Sequence, residues 1–378
     1  MKRTIFALAL LLSTAHVFAE VGVTNTTILL GQSAALSGPA ANLGKEMKEG
    51  ATIYFEYINS QGGVHGRKIN LISLDDGYEP DRAVPNTKKL INENKVFALF
   101  GYVGTPTSYA VIPVITEAKI PFFAPFTGAE GLRSPVNKYI FNIRASYFDE
   151  TEKLVEWSVS QGKKNIAVFY QNDSYGKAGL QGVEIAMKKR DLKISALGTV
   201  ERNTTDVAEA VKSIKKAGPG AIIMISAYKS CAAFIRQAKK AGMDPVFMNV
   251  SFVGSKALAL ELGEEGHGVI ISQVVPFPWD PTPDVAREFH KLMKQYLPKE
   301  QPSFNNLEGF IGAKAFVEGL RRAGKDLTRE KFIAALETFR QVDLGRFAVT
   351  FSPQSHSGSK QVQLTIIIGK GGGFMYLN

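Results

Sequence analysis

The chain has 378 residues and a formal net charge of +10, and 45% of its residues are hydrophobic. This length exceeds what one hydrophobic core usually holds, so it predicts two domains. The basic residues are scattered singly or in short groups such as 188–190, with no run of five and no interleaved aromatic residues. This pattern excludes nucleic acid as an expected partner and is typical of solvated helix faces.

The first 19 residues have the features of a secretory signal peptide. Lys2 and Arg3 precede an apolar segment, residues 5–12, and small residues follow at Val17 and Ala19. This pattern predicts cleavage after Ala19 and a periplasmic location. The apolar segment has about eight residues, too few to span a bilayer, which needs about 20.

Short apolar segments alternate with segments of helical periodicity in the first part of the chain. This alternation predicts a parallel sheet with crossover helices. Pro85 fits one of these helices only if it lies within the first turn. The predicted strands are residues 28–31, 69–74 and 96–100, and the predicted helices are residues 47–58, 81–92 and 107–118.

The same alternation of strand-like and helical segments begins again after residue 144, so the sequence predicts a second, similar lobe. The fold class is therefore α/β, with two Rossmann-like doubly wound lobes. The predicted strands of the second series are residues 165–170, 194–200, 221–226, 246–248 and 269–275, and its predicted helices are residues 175–189, 206–217 and 229–241.

The C-terminal part is expected to complete the two lobes rather than to form a third domain. Its elements are predicted helices near residues 284–296, 306–323 and 328–338, and strands near 347–351, 362–368 and 374–377. Repeated crossings between lobes make a hinge. The expected division is residues 20–144 plus 276–345 for the first lobe and 145–275 plus 346–378 for the second.

Residue patterns typical of enzymes are missing from the sequence. There is no G-x-S-x-G, H-E-x-x-H or G-x-x-x-x-G-K-[ST] motif, and the five histidines have no metal-ligand spacing. Asp75 and Asp76 are more typical of an acidic pair that caps a loop than of a catalytic pair. We therefore expect no enzymatic activity, no metal and no cofactor. The single cysteine, Cys231, excludes an intrachain disulfide.

Residues 100–107 (FGYVGTPT) have the features of an anion-binding corner. They follow a predicted buried strand and precede a helix, with Thr105 suited to the N-cap and Pro106 to the first helical position. The free N–H groups and the positive dipole end of such a helix favour a carboxylate. The alternative is an ordinary capped helix. We include Val103, Gly104 and Thr105 in the candidate binding site.

A second loop, residues 125–130, follows the apolar segment 120–123 and ends at a similar strand tip. Phe126 can supply an apolar wall, Thr127 a hydroxyl, and Gly128 a close approach of the backbone to a ligand. Ligands of open α/β sheets bind beyond the carboxyl ends of the strands, so both loops are expected to face one crevice.

Several segments resemble, in the same order, those of the leucine/isoleucine/valine-binding proteins. These are the type I periplasmic binding proteins of branched-chain amino acid ABC importers. The resemblance covers essentially the whole chain after residue 19 and is strongest in the first half. It is carried by residues 31–39 (GQSAALSGP), 58–67 (INSQGGVHGR), 75–76, 101–108, 125–127 and 236–238.

This resemblance implies two lobes joined by three crossings, with the ligand held between them. It also implies a monomer that delivers a small carboxylate or amino acid to an inner-membrane ABC permease. By position, it assigns the ligand carboxylate to Thr105 and Ser108 and the α-substituent to the surroundings of Phe126 and Gly128. The contacts expected from beyond the first crossing are Tyr147, Asp149, Tyr175 and Tyr228.

One departure from the family pattern bears on the ligand. Family members that bind amino acids have a glutamate after the strand near residues 247–248, which pairs with the α-ammonium, whereas Ser251 occupies this position here. An unpaired buried ammonium is costly. Glu308 and Asp149 are the available substitutes. If neither reaches the ligand, the ligand lacks an ammonium.

Aromatic residues near these segments predict a pocket for a hydrophobic or aromatic carboxylate, with amino acids as the second hypothesis. Core or hinge packing is the alternative for about half of the rings. A sensing module for a chemoreceptor or signalling kinase stays an alternative function, and a hydrolase would need a nucleophile–base pair that the sequence does not offer. The rings are Phe126, Tyr147, Tyr175, Tyr228, Phe252 and Phe277.

Overall fold

Two sheets form the centres of the two halves of the molecule in the computed structural model, which describes residues 20–369 and 373–377. The predicted signal peptide lies outside the described residues. No helix within the described ranges is both long enough and apolar enough to cross a membrane.

The first sheet has five parallel strands in the order β2-β1-β3-β4-β5. This order reverses between β1 and β3, and α3 begins at the end of β3. The reversal is the point where doubly wound sheets bind ligands. The strands are β1 Thr27–Ala34, β2 Lys68–Asp75, β3 Ala98–Phe100, β4 Phe122–Phe123 and β5 Ile140–Phe141, and the helices are α1 Ala41–Ser60, α2 Pro80–Asn92 and α3 Thr105–Glu117.

The second sheet repeats the same strand order in its parallel part, β7-β6-β8-β9-β10, and adds β13 and β14 as antiparallel strands beside β10. The prediction of two doubly wound lobes is therefore confirmed. The strands are β6 Ile166–Gln171, β7 Leu197–Val200, β8 Ala221–Ile225, β9 Val246–Asn249, β10 Ile270–Gln273, β13 Gln363–Ile368 and β14 Gly373–Leu377, and the helices are α4 Tyr147–Ser160, α5 Ser174–Lys188, α6 Ala208–Ala217, α7 Tyr228–Lys240 and α8 Ser255–Leu262.

The remaining elements return to the first half before the chain ends in the second sheet. Helix α10 packs along α1, and the ring of Phe351 contacts Phe141 at 5.2 Å between centroids. His356 Nδ1 lies 3.0 Å from the carbonyl oxygen of Ile140. The chain therefore crosses between the halves three times within the described residues. These elements are α9 Asp284–Tyr296, α10 Phe304–Ala323, α11 Arg329–Leu336, β11 Val342–Asp343 and β12 Ala348–Val349.

Two local features differ from the sequence-based expectations. Pro85 is the sixth residue of α2, beyond the first turn, because the helix already begins at Pro80. The carbonyl that Pro85 leaves unpaired belongs to Asp81, and both residues are exposed, so water can hydrate it.

Helices α4 and α8 were not predicted. A capping box of Ser146 and Asp149 starts α4 and is its sequence signal.

Helices α1 and α10 cross at glycines, and this crossing positions the N-terminal half of α10. A Cβ on Gly50 would lie 1.7 Å from the carbonyl oxygen of Asn306, and a Cβ on Gly309 would lie 2.2 Å from that of Met47. Neither site has room for a side chain. Because Glu308 lies beside Gly309, the close crossing holds its carboxylate at a fixed place in the molecule.

We expect Gly309→Ala to destabilise the protein by about 1–3 kcal/mol, because the added methyl group must separate two packed helix backbones. Gly312→Ala in the same helix is the control, since its nearest neighbours are side chains, Ala124 at 3.2 Å and Phe100 at 3.4 Å. Urea unfolding followed by circular dichroism measures both. Equal stability of the two variants would contradict the proposed backbone contact.

Candidate functional site

The carboxyl edges of the two sheets face each other across the molecule, and we call the region between them the cleft. Gln171 at the end of β6 donates a hydrogen bond of 3.2 Å to the hydroxyl of Tyr78, which follows β2. Phe252, which follows β9, lies 5.8 Å from the ring of Tyr78 and 5.3 Å from that of Phe126. Phe252 is fully buried, so the two edges are in contact in this structure.

The first corner of the cleft is the start of α3. Gly104, not Thr105, is the N-cap, so the prediction of Thr105 as the cap was wrong by one residue. The reason is the φ of +103° at Gly104, a conformation that favours glycine and lets the helix begin one residue earlier. Thr105 and Pro106 become the first two helical residues. No side chain caps this helix end, so its first-turn N–H groups stay available to a ligand.

A short chain of hydroxyl groups lines this corner. Thr105 Oγ1 lies 2.6 Å from Thr127 Oγ1, which donates to the Tyr147 hydroxyl at 3.3 Å. Burial, opposed by the charge of Arg144, raises the pKa of Tyr147 to about 12, so it is a neutral phenol. Ser108 Oγ is buried and has no hydrogen-bond partner in the structure. The corner thus combines helix N–H groups with an unpaired hydroxyl.

The loop after β4 is locked against this corner by backbone contacts. Val103 and Phe126 form a parallel bridge, and the Gly104 N–H donates to the carbonyl of Phe126 at 3.1 Å. Gly128 accepts from the N–H of Tyr147 at 2.7 Å, and a Cβ on Gly128 would lie 2.5 Å from that tyrosine ring. The two predicted loops therefore meet.

The second half of the molecule closes the cleft with aromatic side chains. Phe252 packs on Tyr175 at 4.7 Å, and the Tyr175 hydroxyl is buried without a hydrogen-bond partner. A Cβ added to Gly254 would contact both Leu43 and Tyr228, which lies at the start of α7, so these three residues are neighbours. Tyr147, Tyr175 and Tyr228 thus all face the contact between the two edges.

Phe277 is the one aromatic candidate that the structure does not bring together with the others. Its ring packs on Trp279 at 5.2 Å, Phe304 at 5.8 Å and Tyr376 at 5.0 Å. Its N–H also donates to the Tyr376 hydroxyl at 3.0 Å. Phe277 belongs to an aromatic cluster at the second crossing. It follows β10 closely in the chain, so its ring can pack only near the point where the chain leaves that strand.

Arg144 is a central residue of the cleft that the sequence analysis did not select. It follows β5 and is fully buried, with its guanidinium 5.0 Å from the centre of the Phe126 ring. Its Nη2 donates to Glu150 at 3.1 Å and to the hydroxyl of Ser251. Its Nη1 lies 3.6 Å from Glu308. The available signal was a charged residue three positions after the end of a strand.

The carboxylates near Arg144 already have partners. Glu150 also accepts from the N–H of Ser251 at 2.7 Å and from the Ser272 hydroxyl at 2.6 Å. Asp149 caps α4 by accepting from the N–H and the hydroxyl of Ser146 at 3.0 and 2.8 Å. Of the two acids that the sequence offered for an ammonium, Asp149 is therefore engaged in a capping box.

Glu308, the second of those acids, is paired with Arg144 rather than free. Its burial raises its pKa to about 7; Arg144 opposes this rise and the charge of Glu150 adds to it. An acid whose charged form is disfavoured by burial is a poor counterion for a ligand cation.

The acidic pair Asp75 and Asp76 shapes a loop. Asp75 accepts from the N–H groups of Leu36 and Gly77 at 2.9 and 3.0 Å. Asp76 accepts from Ser33 Oγ at 2.7 Å and from the N–H of Tyr78 at 2.8 Å. These bonds hold Tyr78 in the cleft. No group of three or more His, Cys, Asp or Glu residues that could hold a metal occurs within the described ranges.

An ion-pair cluster joins the two halves at the rim of the cleft. Arg202, after β7, donates to Glu79 of the first half at 2.8 Å and to Asp173 of its own half at 3.0 Å. Asn203 Nδ2 donates to Glu79 at 2.7 Å and to the carbonyl of Gly77 at 3.0 Å. These contacts require the present arrangement of the two halves.

Comparisons with known proteins agree with this architecture. A family described as periplasmic binding protein matches residues 27–372. A solved structure of a possible leucine/isoleucine/valine-binding protein from Rhodopirellula baltica is 35% identical, with a TM-score of 0.89, covering 94% of this chain and 97% of that one. The Leu/Ile/Val-binding protein homolog 7 of Brucella suis is 27% identical over 82% of this chain and 81% of its own length.

A third relative is named as a leucine-, isoleucine-, valine-, threonine- and alanine-binding protein, from Pseudomonas aeruginosa. It is 23% identical over 82% of each chain. Together with the family match, these similarities confirm the resemblance that the sequence motifs indicated.

We expect Glu308 to make the ligand-free protein less stable as the pH rises from about 4.5 to 7. Its raised pKa means that the folded state holds the proton more tightly than the unfolded state, so the stabilisation is complete at low pH and lost as the pH passes 7. Glu308→Gln should remove this loss. Between pH 5 and pH 8, the free energy of unfolding of the variant should therefore rise by about 1–3 kcal/mol relative to that of the native chain, since one pKa unit is about 1.4 kcal/mol.

Urea unfolding at several pH values measures this difference. Glu318→Gln is the control, because Glu318 lies on the same helix and pairs with Arg322 at the surface. Its pH profile should run parallel to that of the native chain. A parallel profile for Glu308→Gln would refute the assignment.

Proposed function

This chain belongs to the family of periplasmic binding proteins, and we propose that it binds a small hydrophobic or aromatic carboxylate that lacks an α-ammonium. The relatives of this chain are solute-binding proteins, so the chain is a solute-binding protein and not an enzyme. The observation that carries the proposal is the first corner of the cleft, where an uncapped helix start lies beside Ser108, whose buried hydroxyl has no partner.

A carboxylate suits this corner for electrostatic reasons. The N-terminal end of α3 carries a partial positive charge and free N–H groups, both of which stabilise an anion. Ser108 adds an unpaired hydroxyl at the same end, next to Thr105, whose own hydroxyl donates to Thr127. Arg144, a cation that is paired with Glu150, lies against the ring of Phe126. The free N–H groups of α3 are therefore the main attraction for a carboxylate at this corner.

An ammonium does not suit the same region. Arg144 and Ser251 are in direct contact, at the position where a carboxylate would be needed to pair with an ammonium. Glu150, Asp149 and Glu308 are engaged as described above. A buried cation next to Arg144 would be repelled and would lose its hydration without compensation, at a cost of several kcal/mol.

Binding is proposed to occur by closure of a hinge between two lobes. The division expected from the sequence is residues 20–144 plus 276–345 for the first lobe and 145–275 plus 346–378 for the second. Because residues 351–357 contact β5 and Asn142 of the first half, we propose to keep this division except that the third crossing lies after residue 357. Tyr175, Tyr228 and Phe252 would reach the ligand only in the closed form, so the ligand stabilises that form by its differential affinity.

Amino acids are the second candidate ligands. The relatives from Brucella suis and Pseudomonas aeruginosa are named for branched-chain amino acids, which supports them. Within this chain, Glu261 and Glu46 are acids near Tyr228. Glu46 accepts from Ser303 at 2.9 Å, and burial raises its pKa to about 7, which makes it as poor a counterion as Glu308. Loss of affinity in Glu46→Gln would favour this alternative.

The proposed setting is the periplasm, with export directed by the first 19 residues and delivery of the ligand to an inner-membrane ABC permease by a monomer. A sensing role with a chemoreceptor or signalling kinase is the alternative for the same fold. Co-purification of the ligand-loaded protein with permease subunits or with a receptor ectodomain distinguishes the two.

We expect Ser108→Ala to weaken carboxylate binding about tenfold or more, because a hydrogen bond to a charged group contributes about 1.5–3 kcal/mol. Thermal-shift screening of 4-methylpentanoate, 3-phenylpropanoate, leucine and phenylalanine identifies the probe, and calorimetry measures its affinity. Thr116→Ala, at the far end of α3, is the control. Stabilisation by the two amino acids alone would contradict the proposed ligand class.

We expect Arg202→Ala to weaken ligand binding severalfold, because its bonds to Glu79 join the two halves only in the closed form. Arg190→Ala is a matched control, since Arg190 is equally buried and pairs with Glu152 within the second half. Calorimetry gives the affinity, and small-angle X-ray scattering gives the fraction of closed protein. The same affinity in both variants would mean that the rim cluster does not contribute to closure.

A further inference from the structure

We propose that Arg144 is a second recognition point in the cleft, and that the ligand carries an oxygen acceptor next to its carboxylate, as 2-oxo and 2-hydroxy acids do. This inference rests on the proposed function, because it adds a second contact to the same ligand. Three observations support it: unpaired donors on Arg144, its position beside the first corner, and the charge of its surroundings.

Arg144 has hydrogen-bond donors that no described residue satisfies. Its Nε and Nη1 atoms are buried and without a hydrogen-bond partner, and Glu308 at 3.6 Å from Nη1 is beyond hydrogen-bond distance. An unpaired buried donor is costly, and more so on a charged group. An acceptor supplied by a ligand would remove this cost, whereas an apolar or cationic group would not.

The position of these donors matches a group adjacent to the ligand carboxylate. The guanidinium lies over the ring of Phe126, and Phe126 is bridged to Val103 one residue before the cap of α3. The Ser251 hydroxyl, bonded to the same guanidinium, faces it from the second half. Arg144 and the start of α3 thus both lie against Phe126, and a ligand that extends from α3 along this residue would meet the donors of Arg144.

The charges around Arg144 also favour an acceptor. A second arginine, Arg133, is buried nearby and donates only to backbone carbonyls, including that of Arg144 at 3.1 Å. Burial and the neighbouring Arg144 lower the pKa of Arg133 to about 10, so both arginines are cations at neutral pH. The two acidic residues near these arginines are Glu150 and Glu308. Below the pKa of Glu308, about 7, that carboxyl is protonated and the four groups carry one net positive charge, which one anion would cancel.

Ligands with one carbon skeleton and different α-substituents test this inference. One series is 4-methylpentanoate, its 2-oxo and 2-hydroxy derivatives and leucine; the other is 3-phenylpropanoate, phenylpyruvate, phenyllactate and phenylalanine. Calorimetry with the full mature chain measures each affinity. We expect the 2-oxo or 2-hydroxy acid of at least one series to bind about tenfold more tightly than the unsubstituted acid, and the amino acid to bind most weakly.

A substitution at Ser251 tests whether Arg144 is the source of this preference. Ser251→Glu would bring a carboxylate to Arg144, where it competes with the ligand oxygen and offers a partner to an ammonium. The preference for the oxygen-bearing acid should fall at least about fivefold and the amino acid should gain affinity. Ser213→Glu, on the exposed surface of α6, controls for the added charge, and circular dichroism verifies that each variant is folded.

The outcomes separate this inference from the proposed function. If the unsubstituted acids bind as tightly as the oxygen-bearing ones, or if Ser251→Glu leaves the preference intact, the role of Arg144 is refuted and the carboxylate proposal stands. If the amino acids bind and the other acids do not, the carboxylate proposal fails. If no compound of either series binds at millimolar concentration, both are refuted.

Discussion

The burial of one guanidinium, that of Arg144, is the constraint on which the arrangement of the cleft depends. A buried charge must be paired, and Arg144 meets this requirement with groups from both halves of the molecule. Glu150 and Ser251 come from the second half, and Glu308 comes from a helix packed on α1 of the first half. The charge therefore favours one relative arrangement of the halves, and the glycine crossing of α1 and α10 supports it.

The chemistry of the cleft follows from the repeated topology. Both parallel sheets reverse their strand order at the same relative position, so each half presents strand ends and a helix start at one edge. In the first half this edge offers N–H groups and hydroxyls, and in the second half it offers aromatic rings beside the polar Ser251 and Glu150. The proposed ligand, with an anionic end and an apolar body, would be complementary to the N–H groups of one edge and to the rings of the other.

In the proposed function, selectivity among such ligands depends on side chains that do not touch the first corner directly. Glu150 accepts from the N–H of Ser251 and from the guanidinium of Arg144, so this part of the cleft presents donors rather than a free acceptor. Relatives named for amino acids share the fold with this chain. Replacement of Ser251 by an acidic residue would thus be a small change in sequence that changes the charge of the cleft.

The sequence by itself determined the two doubly wound lobes and the two loops of the first corner, because strand and helix periodicity and glycine-containing corners are local patterns. The family resemblance also predicted that Ser251 departs from the family pattern. Tertiary structure alone decided the cap at Gly104, which depends on a positive φ, and the separation of Phe277 from the cleft. It alone revealed the contact of Arg144 with Ser251, which are 107 residues apart. The physical reason is that the pairing of a buried charge depends on which distant groups the folded chain brings within hydrogen-bond distance.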